Sequence, residues 1–453
     1  MSVAGDLAAF LAGRRASDLP EAALDHAAML IASTLASAAM GSRLESAAIM
    51  RELACERGGT PEASLWFDSG AKLPATEAAQ VNAVMSDAAA SDDSDLRNIV
   101  HAGTPLTATV LALGERSRIR GADILAAIVL GYEASGRIGE AVTPGLRERG
   151  FHGCVVAIFG AAVAAGRLLQ LPAPQLAQAI ALAATSIGGL MAAANTSVAR
   201  EYHAGLATLL GLRAALAAGR GFRAEETVLE TRRGFFEAYG GVDGAAGAAQ
   251  ALRDLGQSWD ILTDMAIKLV PGGHPYHAFA EAAANAAREA DIAPDQIDGI
   301  IVSRPGFTAL TGPRHPTDLI GMAHSPAYFI AAGAADRAFS WAHAGAAKIA
   351  DPVIHRLIDK VEIGAPPTEH VDRYRQGATV VIHTKDGRSV ANTVFEPYGS
   401  AARGIAWRDV EQKYRALLPE AGLSEARIEA SLALIRRLAD ADEVAPLIAL
   451  LRV

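Results

Sequence analysis

The sequence predicts a mainly α-helical protein with an α+β second domain: a large all-helical domain and a smaller α+β lid. Three observations predict it. Apolar residues recur at three- and four-residue spacing from the N-terminus to about Asp264. Strand alternation and a hairpin turn signal arise only after that point. Alanine is abundant while aromatic residues make up 5% of the chain, which suits closely packed helices with small side chains at their contacts. The 453 residues supply ample material for two cores, and a 51% hydrophobic content excludes general disorder.

Each element follows from a local signal. Leu19 to Ser33 starts a helix with Pro20 at a first-turn position. Ala122 to Glu133 repeats the helical spacing after the turn residues Arg120 and Gly121. Gly153 to Leu169 is apolar nearly all round, which predicts an interior helix. Pro172 and Pro174 then break the chain before the next helix. The apolar stretch from Ala179 to Ala194 is too short to span a bilayer and reads as a buried helix. Beyond Asp264, Ile297 to Ser303 reads as a short buried strand, and Thr379 to Val390 alternates around the hairpin signal Asp386-Gly387. Helices are expected over Ala278–Ala290, Pro326–Ala338 and again from Asp409 to the end. The expected division is residues 1–266 with 398–453 in the helical domain, and 267–397 in the lid.

Charge and cysteine content narrow the function. The formal charge is −9 and the pI is about 5.8, so no diffuse basic field points to nucleic acid. Two cysteines, Cys55 and Cys154, rule out a disulfide framework and a four-thiolate zinc site. The opening residues carry no basic segment before an apolar run, so neither a secretory leader nor a membrane partner is expected, and a cytoplasmic location is. Phosphate-loop, dinucleotide and nucleophile-elbow motifs are all missing. The chemistry expected is free of metals, nucleotides and other cofactors.

Acid–base work near neutral pH falls to histidine. Among twelve histidines, five have unusual settings: His101 in Val100-His-Ala-Gly-Thr-Pro105, His152 in Arg149-Gly-Phe-His-Gly-Cys154, His203 in Arg200-Glu-Tyr-His-Ala-Gly205, and His274 with His277 after Lys268-Leu-Val-Pro-Gly-Gly. Bland readings stand beside these. Asp92, Asp93 and Asp95 suit a solvated helix end. His152 suits a helix start, which disfavours its imidazolium and leaves a neutral base. His203 alone suits a satisfied core position, and Cys154 a small buried hydrophobe. His274 and His277 are three apart, but Pro275 and the two preceding glycines favour a turn over a metal-binding helix face.

The collinear order of these segments resembles the MmgE/PrpD family, from Leu19 to about Tyr414. Its most specific stretches are Val81-Asn-Ala, Asp92-Asp-Ser-Asp95, His101-Ala-Gly-Thr-Pro105, Gly131-Tyr-Glu-Ala, Arg149-Gly-Phe-His152 and Glu201-Tyr-His-Ala-Gly205. The resemblance implies a helical domain, an α+β lid, a site in the cleft between them and a homodimer, with no metal or organic cofactor. It implies small di- or tricarboxylate substrates and removal of a proton α to a carboxylate. By position, His101, His152, His203, Asp93 and Tyr132 are the catalytic candidates, and Arg200, Lys268, His274 and His277 would bind substrate.

Two departures bear on the reaction. Family dehydratases carry an Asp-Phe-Asp-Asp-Thr-His-like run where this chain has Ala90-Ser-Asp-Asp-Ser-Asp95. Many members carry a Lys-Arg-Leu-His-Ala-Gly-like segment, which places Arg200 where their lysine stands. Arginine clamps a carboxylate but does not transfer protons. The expected activity is a cofactor-independent, dehydratase-like lyase. The alternatives are an isomerase or epimerase sharing the proton abstraction, and a catalytically degenerate carboxylate-binding dimer.

Overall fold

The computed structural model describes residues 2–453. Helices account for 59% of it and strands for 8%. The chain forms two compact units, Met1–Ile267 with Ile405–Val453, and Lys268–Gly404.

In the first unit the helices that matter here are α1 (Glu21–Gly41), α2 (Ala75–Ala88), α3 (Gly103–Ser117), α4 (Gly121–Ala141), α5 (Cys154–Leu168), α6 (Ala173–Ala184), α7 (Met191–Thr196) and α8 (Ala199–Gly219). Helix α5 is buried along almost its full length and packs against α4, α8 and α3. Small residues permit this. A Cβ at Gly131 of α4 would lie 2.7 Å from the Gly160 carbonyl oxygen of α5. Helix α1 is long and apolar enough to cross a membrane by length and composition, yet 78% of that window is buried inside the protein. Burial on all sides is the signature of a core helix.

Three sequence expectations change here. Pro20 precedes α1 as its N-cap, with ψ of 137°, and does not occupy the first turn. The expected helix over Ala179–Ala194 is interrupted: α6 stops at Ala184, and Leu190 is 60% exposed. The hydroxyls of Thr185 and Ser186 donate to the Leu182 carbonyl at 3.0 and 2.5 Å, and that local bonding competes with continued helix. The unit also holds two short antiparallel ribbons within its helical frame. Ala63–Ser64 pairs with Lys72–Leu73. The second ribbon joins β1 (Asp93–Asp95) to β2 (Met265–Ile267), with Asp93 opposite Ile267 and Asp95 opposite Met265.

The second unit contains α9 (His277–Glu289), β3 (Ile297–Ser303), α10 (Pro326–Asp336), β4 (Val361–Ile363), β5 (Ala378–Thr384) and β6 (Ser389–Val394). Its sheet runs β4-β3-β5-β6, with β3 and β4 parallel and the other pairs antiparallel. Ala378, Val380 and Ile382 alternate onto the buried face, as do Ile300 and Val302. Helix α9 covers β5 and β6 and packs on α10. Asp386 and Gly387 make the hairpin turn, where Gly387 adopts φ of 87°.

After this unit the chain returns to the first. Lys413, in the helix Trp407–Leu417, is fully buried and donates to Ser33 Oγ at 2.7 Å and to the Ser91 carbonyl. Ser91 is held again by Ser37, 2.6 Å between hydroxyl oxygens. The residue just before the acidic run is thereby fixed from two sides.

Candidate active site

The acidic run is a fully buried strand, not a solvated helix end. Asp92, Asp93 and Asp95 are each 1% exposed or less. Two of the three carboxylates hold the backbone. Asp93 Oδ1 accepts from the Gly103 N–H at 2.9 Å, which caps the start of α3. Asp95 Oδ1 accepts from the N–H groups of Arg97 and Asn98 at 2.8 and 3.2 Å, folding the loop that leads to His101. Burial and the neighbouring Asp264 charge push the Asp95 carboxyl up to about 6, against the two backbone bonds and Arg97.

His101 is oriented by this run. Its Nδ1 lies 2.7 Å from the Asp93 carbonyl oxygen and 3.1 Å from Asp92 Oδ2. A carbonyl oxygen only accepts, so Nδ1 carries the hydrogen, and a neutral His101 presents its lone pair on Nε2.

Three imidazoles stand in a row. The ring centroids of His101 and His152 are 6.5 Å apart, and those of His152 and His203 are 5.3 Å apart. They come from three places: the loop before α3, the turn before α5, and the first turns of α8. The His152 N–H donates to the Gly189 carbonyl at 3.0 Å, which ties its turn to the break after α6. Both His152 and His203 are nine-tenths buried, and neither Nδ1 has a hydrogen-bond partner among the described residues. Burial, then the charges of His101, His203 and Arg200, hold the His152 imidazolium well below its ordinary range. Burial lowers His203 as well, opposed by Asp87. The neutrality expected of His152 at a helix start has a different origin: desolvation and like charge dominate.

Arg200 lies beside this row, committed to α2. Its Nε donates to Asp87 Oδ2 at 2.8 Å and one Nη to the Asp87 carbonyl at 2.6 Å. Burial disfavours its charge, but Asp87, Asp92 and Glu201 more than offset that, so the guanidinium is held above its ordinary value. Tyr132 is fully buried on α4, and its hydroxyl finds no partner among the described residues. Burial, then Asp93 and Asp95, hold its phenol well above the usual range. It belongs to the acidic side of the ribbon.

The remaining candidates belong to the second unit. Lys268, its first residue, is 1% exposed. His274 begins a short 3-10 turn and His277 opens α9, so the pair forms a turn as Pro275 suggests. Their rings stack at 4.6 Å, and His277 stacks on Phe329 at 5.9 Å. His277 also lines a cavity of about 290 Å³ with Leu269, Glu281 and Tyr398.

Sequence reading did not select Asp87, Gly189 or Lys413. Asp87 lies on an ordinary helical stretch 113 positions before Arg200, and no local pattern marks such a pairing. Asp92 was visible in the acidic run, but only the fold selects it over Asp93 as the carboxylate facing His101.

Comparison with known proteins supplies an independent frame. Residues 5–246 match the MmgE/PrpD N-terminal domain and residues 271–440 the MmgE/PrpD C-terminal domain. Cis-aconitate decarboxylase of Homo sapiens is 26% identical over an alignment covering 100% of this chain and 95% of that protein. The Mus musculus protein of the same name is 24% identical over 100% and 93%. That of Aspergillus terreus is 30% identical over 48% of this chain and 46% of its own. With both family domains matched in order over most of its length, the chain belongs to the MmgE/PrpD family.

Proposed function

We propose that this protein is a cofactor-independent lyase that removes a proton α to a carboxylate in a small di- or tricarboxylate. The observation that carries the reading is the row His101–His152–His203 with Asp92 behind His101. Nε2 of His101 takes the proton, and the Asp92 carboxylate stabilises the imidazolium that results. The electron pair left on carbon spreads into the adjacent carboxylate, where Arg200 supplies a fixed positive charge. The cycle closes in one of two ways. A β-hydroxyl leaves as the carbanion's electron pair forms the double bond, and an acid protonates it to water. Or the carbanion is first reprotonated at another carbon, a carboxylate then leaves as carbon dioxide, and the electron pair of the broken C–C bond takes up a second proton.

The names of the relatives make cis-aconitate the first substrate to test. The retained imidazole row favours turnover. The resemblance sets Arg200, locked on Asp87, where many family members carry a lysine, and an arginine that cannot transfer a proton favours the second reading, a carboxylate binder without turnover. Proton NMR in D₂O with cis-aconitate, citrate, 2-methylcitrate, malate and iminodisuccinate separates them. Alkene formation or loss of carbon dioxide supports the lyase. Exchange with only stereochemical or positional change supports an isomerase, and no exchange supports the binder. In the lyase case His152→Gln lowers turnover by roughly 10²–10⁴-fold, and a variant with full activity removes His152 from the mechanism.

A further inference from the structure

We infer that His152, Cys154 and His203 form a binding site for one borderline-soft divalent cation, with zinc(II) as the representative ion. Each residue offers one donor atom, and the three atoms lie within 4.8 Å of one another. Two imidazole nitrogens and one sulfur are the donor set that such ions prefer.

Two further observations point the same way. The Nδ1 atoms of His152 and His203 are buried and have no partner among the described residues, an uncommon state for a polar atom in a packed interior. The backbone beside the cluster is also restricted. A Cβ on Gly189 would lie 2.4 Å from Cys154 Sγ and 3.4 Å from His203 Nδ1, so only glycine fits against these donors. Cys154 itself makes one weak contact, with the Gly188 carbonyl at 3.8 Å.

Zinc–nitrogen and zinc–sulfur bonds of about 2.0 and 2.3 Å place tetrahedral donors about 3.5 Å apart. The donors must therefore close by roughly 1 Å, which side-chain rotation can supply. Both imidazoles are held neutral by burial, the form that ligates. The thiol is pushed up to about 12 by burial, so the ion must displace its proton. The S–H bond is replaced by a metal–sulfur bond, one proton leaves to solvent and no electron is transferred. Three protein ligands leave one coordination position open.

A bound ion would occupy lone pairs of His152 and His203, two members of the imidazole row on which the proposed function rests, so zinc would inhibit. That consequence rests on the proposed function, whereas the binding itself does not. Cobalt(II) titration followed by absorption therefore comes first, in a Cys55→Ser background because Cys55 is the other thiol and is exposed. The expected result is one equivalent bound with a sulfur-to-cobalt charge-transfer band. Cys154→Ala abolishes the band and weakens binding at least about 100-fold; Cys154→Ser, closer in volume, does the same if the alanine variant fails to fold. The proposal is overturned by substoichiometric binding, or by a band that persists without Cys154. Zinc inhibition of turnover, relieved in Cys154→Ala, is a separate measurement whose failure bears on the functional reading alone.

Discussion

Asp92 Oδ2 and His101 Nδ1 are 3.1 Å apart, and the same nitrogen is 2.7 Å from the Asp93 carbonyl oxygen. The two acceptors do different jobs. The carbonyl fixes the tautomer whatever residue stands at 92, while the carboxylate stabilises the charge His101 acquires with a proton. Asp92→Asn therefore keeps the ring in place and loses the charge term. Turnover is expected to fall by roughly 10²-fold with little change in the circular dichroism spectrum. An unchanged kcat would show that His101 does not gain charge during the reaction.

The close approach of α1 and α2 gives a prediction about the fold. A Cβ at Gly41 would lie 1.9 Å from the Met85 carbonyl oxygen and 3.1 Å from the Ala88 Cβ. A backbone oxygen cannot rotate aside, so the helices must separate. Gly41→Ala is expected to cost about 1–3 kcal/mol or more. Gly13, at a helix end with nothing within 4 Å of its Cβ position, is the control, and Gly13→Ala should stay within about 0.5 kcal/mol of the parent. Equal melting temperatures for the two variants would mean that the α1–α2 contact adjusts more easily than its geometry implies.

These two cases also show what a single sequence can reveal. The fold class was legible because periodicity is local: β3 runs from Ile297 to Ser303, the strand bounds expected, α9 and α10 lie within two residues of expectation, and the hairpin turns where expected although its second strand runs on to Val394. The histidines were legible because each lies in a short unusual context. Their order in space was not, since the row joins segments about 50 residues apart and depends on the loop shaped by Asp95. The acidic run was misread for the same reason. Its partner strand, Met265–Ile267, lies about 170 residues away, and nothing near Asp93 announces that pairing. Ala179–Ala194 was misread because composition outweighed two hydroxyls that bond back to Leu182.

The buried charges behind the ribbon predict a pH effect on stability. Asp95 sits among Asp264, Arg97, Asp260, Glu133, Glu140 and Tyr132. Its carboxyl is raised from 3.8 to about 6 by burial first and Asp264 second. Between those values the folded protein holds a proton that the unfolded chain has released. Stability from this group thus falls as pH rises through that window, and its cost is fully present above about pH 6. Asp95→Asn retains an oxygen to accept from Arg97 and Asn98 but carries no charge. Urea unfolding should show the variant gaining on the parent at pH 7.5 and losing that advantage near pH 4. A gap that is constant with pH would assign the raised carboxyl to another member of the cluster.

Arg200 and Asp87 decide how the site holds its positive charge. The pair is nearly buried, with side-chain exposures of 12% and 2%, and it is joined by a carboxylate bond and a bond to the Asp87 carbonyl. Asp87→Ala strands a guanidinium in the interior and is expected to cost about 3–5 kcal/mol. Removing both charges with Asp87→Ala and Arg200→Met should cost less than Asp87→Ala alone, because no charge is then left unpaired. If Arg200 also meets a substrate carboxylate, Arg200→Lys raises KM, as the ammonium lacks the planar fork. A proton-donating role would give a different signature, since lysine can transfer a proton where arginine cannot: kcat would rise in Arg200→Lys. Steady-state kinetics on the substrate identified by NMR, beside the unfolding cycle, separates a positioning and binding role for this charge from a lost catalytic one.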